Sequence, residues 1–218
     1  MIRDSIFALD LGVRCGFACG RPNVSPRSGI VLLKQAKEPR AIAGANLMAW
    51  LCDEWGKEQP ALVVKEAALP LQAYKDRGNS EDAVKMAYAL HGIMEALCVR
   101  FCVPCESVHP ATIRKHFIGQ GRAGSRTATK AAVVQRAILL GYIPRGCTDD
   151  DRADACSIWD FACAAYAQRI PATLHLFGET AEPVRESNVP ESNVREFVRE
   201  SNVRRNRYGS RLTNEEFS

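Results

Sequence analysis

Near its start the chain reads Ser5-Ile6-Phe7-Ala8-Leu9-Asp10-Leu11-Gly12-Val13-Arg14-Cys15-Gly16-Phe17-Ala18-Cys19-Gly20. Two short apolar runs, 5–10 and 15–20, flank a turn, and a third at 29–34 follows Pro, Asn and Ser residues. Runs of this length bounded by turn formers read as strands, here joined as an antiparallel meander. Further on, residues 39–58 have helical periodicity through Ile42, Leu47, Trp50, Leu51 and Trp55. A strand at 61–66 follows Gln59-Pro60, and a loop at 68–79 is rich in turn formers. Ser80 caps a helix at 80–99 that has Glu81 and Asp82 in its first turn. A strand at 101–107, a short helix at 110–117 opened by Pro110, and helices at 127–140 and 150–168 complete the pattern. A meander followed by strands alternating with helices predicts an α/β fold: a five-stranded mixed sheet, antiparallel then parallel, flanked by helices.

The 218 residues suffice for one sizeable domain and an appendage. With 46% hydrophobic and 25% charged residues, the chain has a globular composition. No apolar run approaches the ~18 residues of a membrane span, and Met1-Ile2-Arg3-Asp4-Ser5 carries no signal-peptide pattern. A cytoplasmic protein without membrane partners is the expectation. Cys15, Cys19, Cys98, Cys102, Cys156 and Cys163 read as small buried hydrophobes. Cys102-Val103-Pro104-Cys105 has zinc-like spacing but no second pair to complete four ligands. The domain is expected over 1–170. After Pro171 the apolar pattern fades, and Arg185-Glu186-Ser187-Asn188-Val189 recurs with variation at 190–194 and 199–203. Such a tail, 171–218, is expected to be low in complexity and disordered.

Four acids stand where chemistry is to be expected. Asp10 ends the first strand, Glu66 ends Ala61-Leu62-Val63-Val64-Lys65-Glu66, and Asp151 and Asp154 open the last helix, three apart and so on one face. A carboxylate at the end of a buried strand is costly to desolvate unless something positive meets it. Carboxylates from separate elements supply the oxygen ligands that Mg²⁺ prefers, and pairs of such ions serve phosphoryl displacement. Each acid also has an ordinary reading: an Asx-turn or a phosphate-binding turn for Asp10, a strand-end charge for Glu66, helix-dipole complementation for the aspartates. Asp149 and Asp150 extend the last cluster, so Asp150 competes with Asp151 as a ligand.

Net charge is only +4, but its distribution is uneven. Between Glu106 and Asp149 there is no acid, while Arg114, Lys115, Arg122, Arg126, Lys130, Arg136 and Arg145 fall there. A solvated face usually mixes both signs; an acid-free basic stretch is a candidate phosphate-binding surface. Lys130, beyond the loop Gly119-Gln120-Gly121-Arg122-Ala123-Gly124, is the candidate neighbour for a reacting phosphate.

These motifs, in this order, resemble the RuvC-type Holliday junction resolvases, in a phage or prophage-like branch. The resemblance spans roughly 5–168. It rests on Ile6-Phe7-Ala8-Leu9-Asp10-Leu11-Gly12 with Cys15-Gly16-Phe17-Ala18, on Val63-Val64-Lys65-Glu66, on Pro110, Ile113-Arg114-Lys115, the glycine loop and Lys130, and on Asp151-Arg152-Ala153-Asp154-Ala155. It implies a ribonuclease H-like fold, a homodimer, and Mg²⁺-dependent hydrolysis (Mn²⁺ substituting, two ions per site) of two DNA strands at a four-way junction. By motif, Asp10, Glu66, Asp151 and Asp154 would be metal ligands and Lys130 would contact the scissile phosphate. Arg114, Lys115, Arg122 and Arg126 would bind DNA backbone. No nucleotide cofactor is implied. The chain departs from the pattern at Leu11, where the family usually has Pro. It has Leu69 where an aromatic often follows the second acid, with Tyr74 further on as the candidate junction contact. Rival readings with the same acids are an RNA-processing nuclease of the YqgF type and a non-catalytic junction binder. Asp10-Leu11-Gly12 also fits an actin-like ATPase, whose two subdomains need a longer chain.

Overall fold

The structure, a computed structural model, describes residues 4–166 apart from 77 and 79; the tail expected at 171–218 lies outside the described residues. Among the described residues it has five strands and six helices. They are β1 (Ile6–Asp10), β2 (Arg14–Gly20), β3 (Arg27–Leu32), α1 (Arg40–Lys57), β4 (Leu62–Glu66) and α2 (Leu71–Asp76), then α3 (Glu81–Phe101), β5 (Cys105–Val108), α4 (Pro110–Ile118), α5 (Arg126–Leu139) and α6 (Asp150–Tyr166). The sheet order is β3-β2-β1-β4-β5, with β1–β2 and β2–β3 antiparallel and β1–β4 and β4–β5 parallel. This is the five-stranded mixed sheet flanked by helices that the sequence predicts. No helix among the described residues is long and apolar enough to cross a membrane.

Side chains on a strand alternate between faces, and here the alternation sorts the core into two layers. Ile6, Ala8, Ala18, Leu62 and Val64 pack with Ile113, Phe117, Val133, Ile158 and Trp159 of α4, α5 and α6. Phe7, Leu9, Phe17 and Val63 face the other way, onto Leu47, Leu51 and Trp55 of α1 and Leu90 and Met94 of α3. Asp10 and Glu66 continue the first set by alternation, so both point to the α4–α6 side.

Three element boundaries differ from expectation. The loop at 68–79 contains the short helix α2, which begins directly after Pro70. The third strand lies at Arg27–Leu32 rather than 29–34, because pairing with β2 (Arg14 opposite Leu32, Cys19 opposite Arg27) sets its limits. The fifth strand is shorter than 101–107: α3 runs on to Phe101 and stops where Cys102 turns left-handed at φ 53°. Ser80 caps α3 as expected, accepting from the Ala83 amide at 3.2 Å. Of the six cysteines expected to be buried, Cys15, Cys98 and Cys156 are, Cys19 and Cys163 are partly so, and Cys102 is exposed beyond the end of its helix.

Beneath the α3 side lies a buried cation. Lys65 is 2% exposed, and its ammonium donates to His91 Nδ1 at 3.0 Å and pairs with Glu95 at 3.0 Å. Burial, then the Lys65 charge, hold the His91 pKa down from 6.5 to about 4, against the pull of Glu95. The folded state therefore disfavours the protonated ring: stability is intact above pH 6.5 and is lost as pH falls toward 4. The loss is expected to reach about 3 kcal/mol. Urea denaturation of wild type and His91→Gln at several pH values checks it, the variant losing less on acidification.

Candidate active site

The parallel register of β1 and β4 pairs Leu9 with Lys65. The next residues, Asp10 and Glu66, therefore end adjacent strands side by side and on one face. On the other side of β1, Asp10 pairs with Gly16 of β2. A Cβ on Gly16 would stand 2.0 Å from the Asp151 carbonyl oxygen and 3.3 Å from Ala155 Cβ. Only a bare backbone lets the first turn of α6 lie this close to the sheet. That contact brings Asp151, and Asp154 one turn on, over the strand ends.

The four acids share one cavity of about 440 Å³ with Arg114, Arg122, Arg126 and Lys130. Three separate parts of the acid-free stretch thus converge: α4 supplies Arg114, the glycine loop Arg122, and α5 the other two. Lys115, on α4, and Tyr74, on α2, do not line it. The Tyr74 ring packs against that of Tyr88 at 5.9 Å, edge to face. Thr129, which sequence reasoning passed over, is buried in the cavity wall. Its hydroxyl donates to the Ser125 carbonyl at 2.9 Å and accepts from the Ala123 amide at 3.0 Å. The glycine loop is thereby tied to α5, and Arg122 Nε closes it further by donating to the Gly124 carbonyl at 2.7 Å.

Burial, with like charges added to it, dominates the electrostatics of the site. Burial holds the Asp10 carboxyl well above the usual carboxylate range, and the charges of Asp154, Glu66 and Asp151 add to this against the opposing pull of Lys130. Burial likewise pushes Asp154 up to about 6, with Arg114 and Lys130 opposing and Asp150 and Asp151 adding. A half-buried set of like charges favours a counter-charge, whether protons, bound cations or the basic side chains beside it. The donors here are all carboxylates from three elements, a hard oxygen set that fits Mg²⁺ or Mn²⁺.

Asp149 and Asp150 have other partners. Lys130 pairs with Asp150, and that contact is the main reason the Asp150 carboxyl lies below its usual range. Arg14 bridges Asp149 and Asp151. Among the described residues, Asp149, Asp150 and Asp151 are the one group of three in which one carboxylate oxygen from each lies within 4.8 Å of the others. Since Arg14 and Lys130 between them pair with all three members, this triad reads as an ion-paired helix start. Asp151, not Asp150, lines the cavity.

No protein-family model matches the sequence, and no curated protein matches it. Solved structures do. Thermus thermophilus RuvC in complex with Holliday junction substrate superposes with a TM-score of 0.58 at 16% identity, covering 77% of this chain and 96% of its own. The structure of Thermus thermophilus RuvC gives 0.55 at 18% identity, over 76% and 96%. The yeast mitochondrial Holliday junction resolvase Ydc2 aligns at 0.48 and 14% identity, over 78% and 85%. The chain has the ribonuclease H-like fold of RuvC.

Proposed function

We propose that this protein is a metal-dependent endodeoxyribonuclease that cuts two strands of a four-way DNA junction. The observation that carries the reading is the single cavity in which Asp10, Glu66, Asp151 and Asp154 face Arg114, Arg122, Arg126 and Lys130. Carboxylates alone would repel a nucleic acid and basic residues alone would only bind it; the combination serves phosphodiester hydrolysis. The fold shared with RuvC supports the choice of a branched duplex, because that protein is solved with Holliday junction substrate.

In this proposal the four carboxylates hold Mg²⁺, two ions per site, with Mn²⁺ as substitute. When bound there, divalent cations activate water and stabilise the leaving oxygen of an in-line displacement. The chain's own residues do the rest. Arg122 and Arg126, exposed at the mouth, take backbone phosphates on either side of the cut. Lys130, partly buried and paired with Asp150 in the free protein, would turn its ammonium to the scissile phosphate when DNA binds. Arg114 offsets the charge of Asp154. Lys115 and Tyr74 extend the DNA contact outside the cavity. A homodimer would present two such cavities to symmetry-related strands.

Incubation of the protein with a mobile four-way junction, linear duplex and structured RNA, each with Mg²⁺ or EDTA, tests the substrate. We expect paired nicks in the junction with Mg²⁺, and at least tenfold slower cutting of duplex and RNA. Preferential RNA cleavage would instead support the YqgF-type reading. Junction binding without cleavage in any divalent metal would support a non-catalytic binder.

A further inference from the structure

Resting on the metal-site reading above, we infer that Arg14 and Asp149 form a positioning pair that sets the carboxylate of Asp151 in the candidate metal site. Arg14 opens β2, and its side chain reaches residues 135 and 137 positions away. One terminal nitrogen, Nη2, donates to both oxygens of Asp149 at 3.1 Å, while Nε donates to Asp151 Oδ2 at 3.0 Å. Asp149 lies outside the cavity lining, and Asp151 lies within it. The guanidinium is thus anchored at the rim by one carboxylate and orients the other. It engages one oxygen of Asp151 and leaves Oδ1 without an Arg14 bond.

A simple surface ion pair explains less. Arg14 is more than half exposed, so its pairs contribute little to stability. Their geometry is nonetheless specific. The two bonds leave different nitrogens of one rigid plane, so the directions to Asp149 and Asp151 are fixed relative to each other. Two residues along the same strand, Gly16 sets the height of the Asp151 backbone over the sheet. Together the two β2 residues fix where the Asp151 backbone sits and where its carboxylate points. Partners that orient a ligating carboxylate typically change metal affinity by about 10–100-fold when removed.

The test is Mn²⁺ binding to the full-length protein without DNA, followed by the paramagnetic signal of the free ion. Wild type is compared with Arg14→Ala, Arg14→Lys, Asp149→Asn, the Arg14→Ala/Asp149→Asn double variant and Asp10→Asn. We expect Arg14→Ala to weaken Mn²⁺ binding about tenfold, and Asp149→Asn to do nearly the same. The double variant is expected to be no worse than either single. Lysine is expected not to rescue, since a freely rotating ammonium does not fix the two directions relative to each other. Melting temperatures and junction affinity in EDTA are expected to stay close to wild type. Unchanged Mn²⁺ affinity in Arg14→Ala, with Asp10→Asn impaired, overturns the positioning role alone. So does a loss of junction affinity in EDTA as the main effect, which would make Arg14 a DNA contact. Mn²⁺ binding indifferent to Asp10→Asn overturns the metal-site reading and this inference with it.

Discussion

Asp10→Asn is expected to reduce Mg²⁺-dependent cleavage on the order of a thousandfold while leaving junction binding in EDTA intact. Asp10 sits among the other three carboxylates, and asparagine keeps its shape while removing the charge a cation would need. A loss of this size is typical when a group that stabilises developing charge is removed. The basic residues that would hold the DNA are untouched, so affinity survives. The same substitution is expected to stabilise the metal-free protein. The folded-state pKa of Asp10 is raised by burial and then by Asp154, Glu66 and Asp151. A raised carboxyl pKa means that stability is lost as pH rises from the unfolded value, 3.8, through the folded one, and asparagine carries no such cost. Thermal melting in EDTA at neutral pH is therefore expected to rise for the variant. Parallel cleavage and melting measurements check both signs.

Gly16→Ala is the second large effect, and it acts through backbone. The new methyl would lie 2.0 Å from the Asp151 carbonyl oxygen and 2.6 Å from its carbon. Neither atom belongs to a flexible side chain, so the first turn of α6 must lift by about 1 Å to reach ordinary contact. Overpacking of this kind costs about 1–3 kcal/mol. A displacement of about 1 Å at reacting groups can cost about a hundredfold in rate. Both losses are expected together, in urea denaturation and in junction cleavage. Gly92→Ala is the control: it lies in α3, where an added Cβ meets nothing within 4 Å. Replacing that helical glycine is expected to stabilise by about 0.5–1 kcal/mol and to leave cleavage unchanged.

The sequence made the strand-end acids legible because an apolar run that stops at a carboxylate is a local signal. Asp10 and Glu66 ended their runs in the text as they end β1 and β4 in the fold. That they share a face was not read from the runs themselves; it follows from the two-residue alternation once the strands pair in register. The basic stretch was legible as composition, yet which of its members reach the cavity depends on how α4, the glycine loop and α5 fold back. Arg122 lines the cavity and Lys115 does not.

The misplaced boundaries have local causes. Phe101-Cys102-Val103 has strand-like composition, but a left-handed Cys102 ends a helix there. Arg27-Ser28-Gly29 looks like a turn, yet it pairs with β2. Gly29 leaves room for the Phe17 ring, since a Cβ there would lie 2.8 Å from it. Ser28 is held from the far side, accepting from Arg152 at 2.9 Å and donating to the Tyr142 carbonyl at 3.0 Å. Contacts that span more than a hundred residues leave no trace in a local pattern. Arg14 went unread for that reason, although it stands two residues before the glycine that seats α6.

Anomalous scattering from Mn²⁺-soaked crystals of the protein would show whether the four carboxylates hold metal. Peaks are expected within the cavity, bounded by Asp10, Glu66, Asp151 and Asp154, and are expected to disappear in Asp10→Asn crystals. A peak held instead by Asp149 and Asp150, which lie outside the cavity lining, or Mn²⁺ density unaffected by Asp10→Asn, would rule this metal site out.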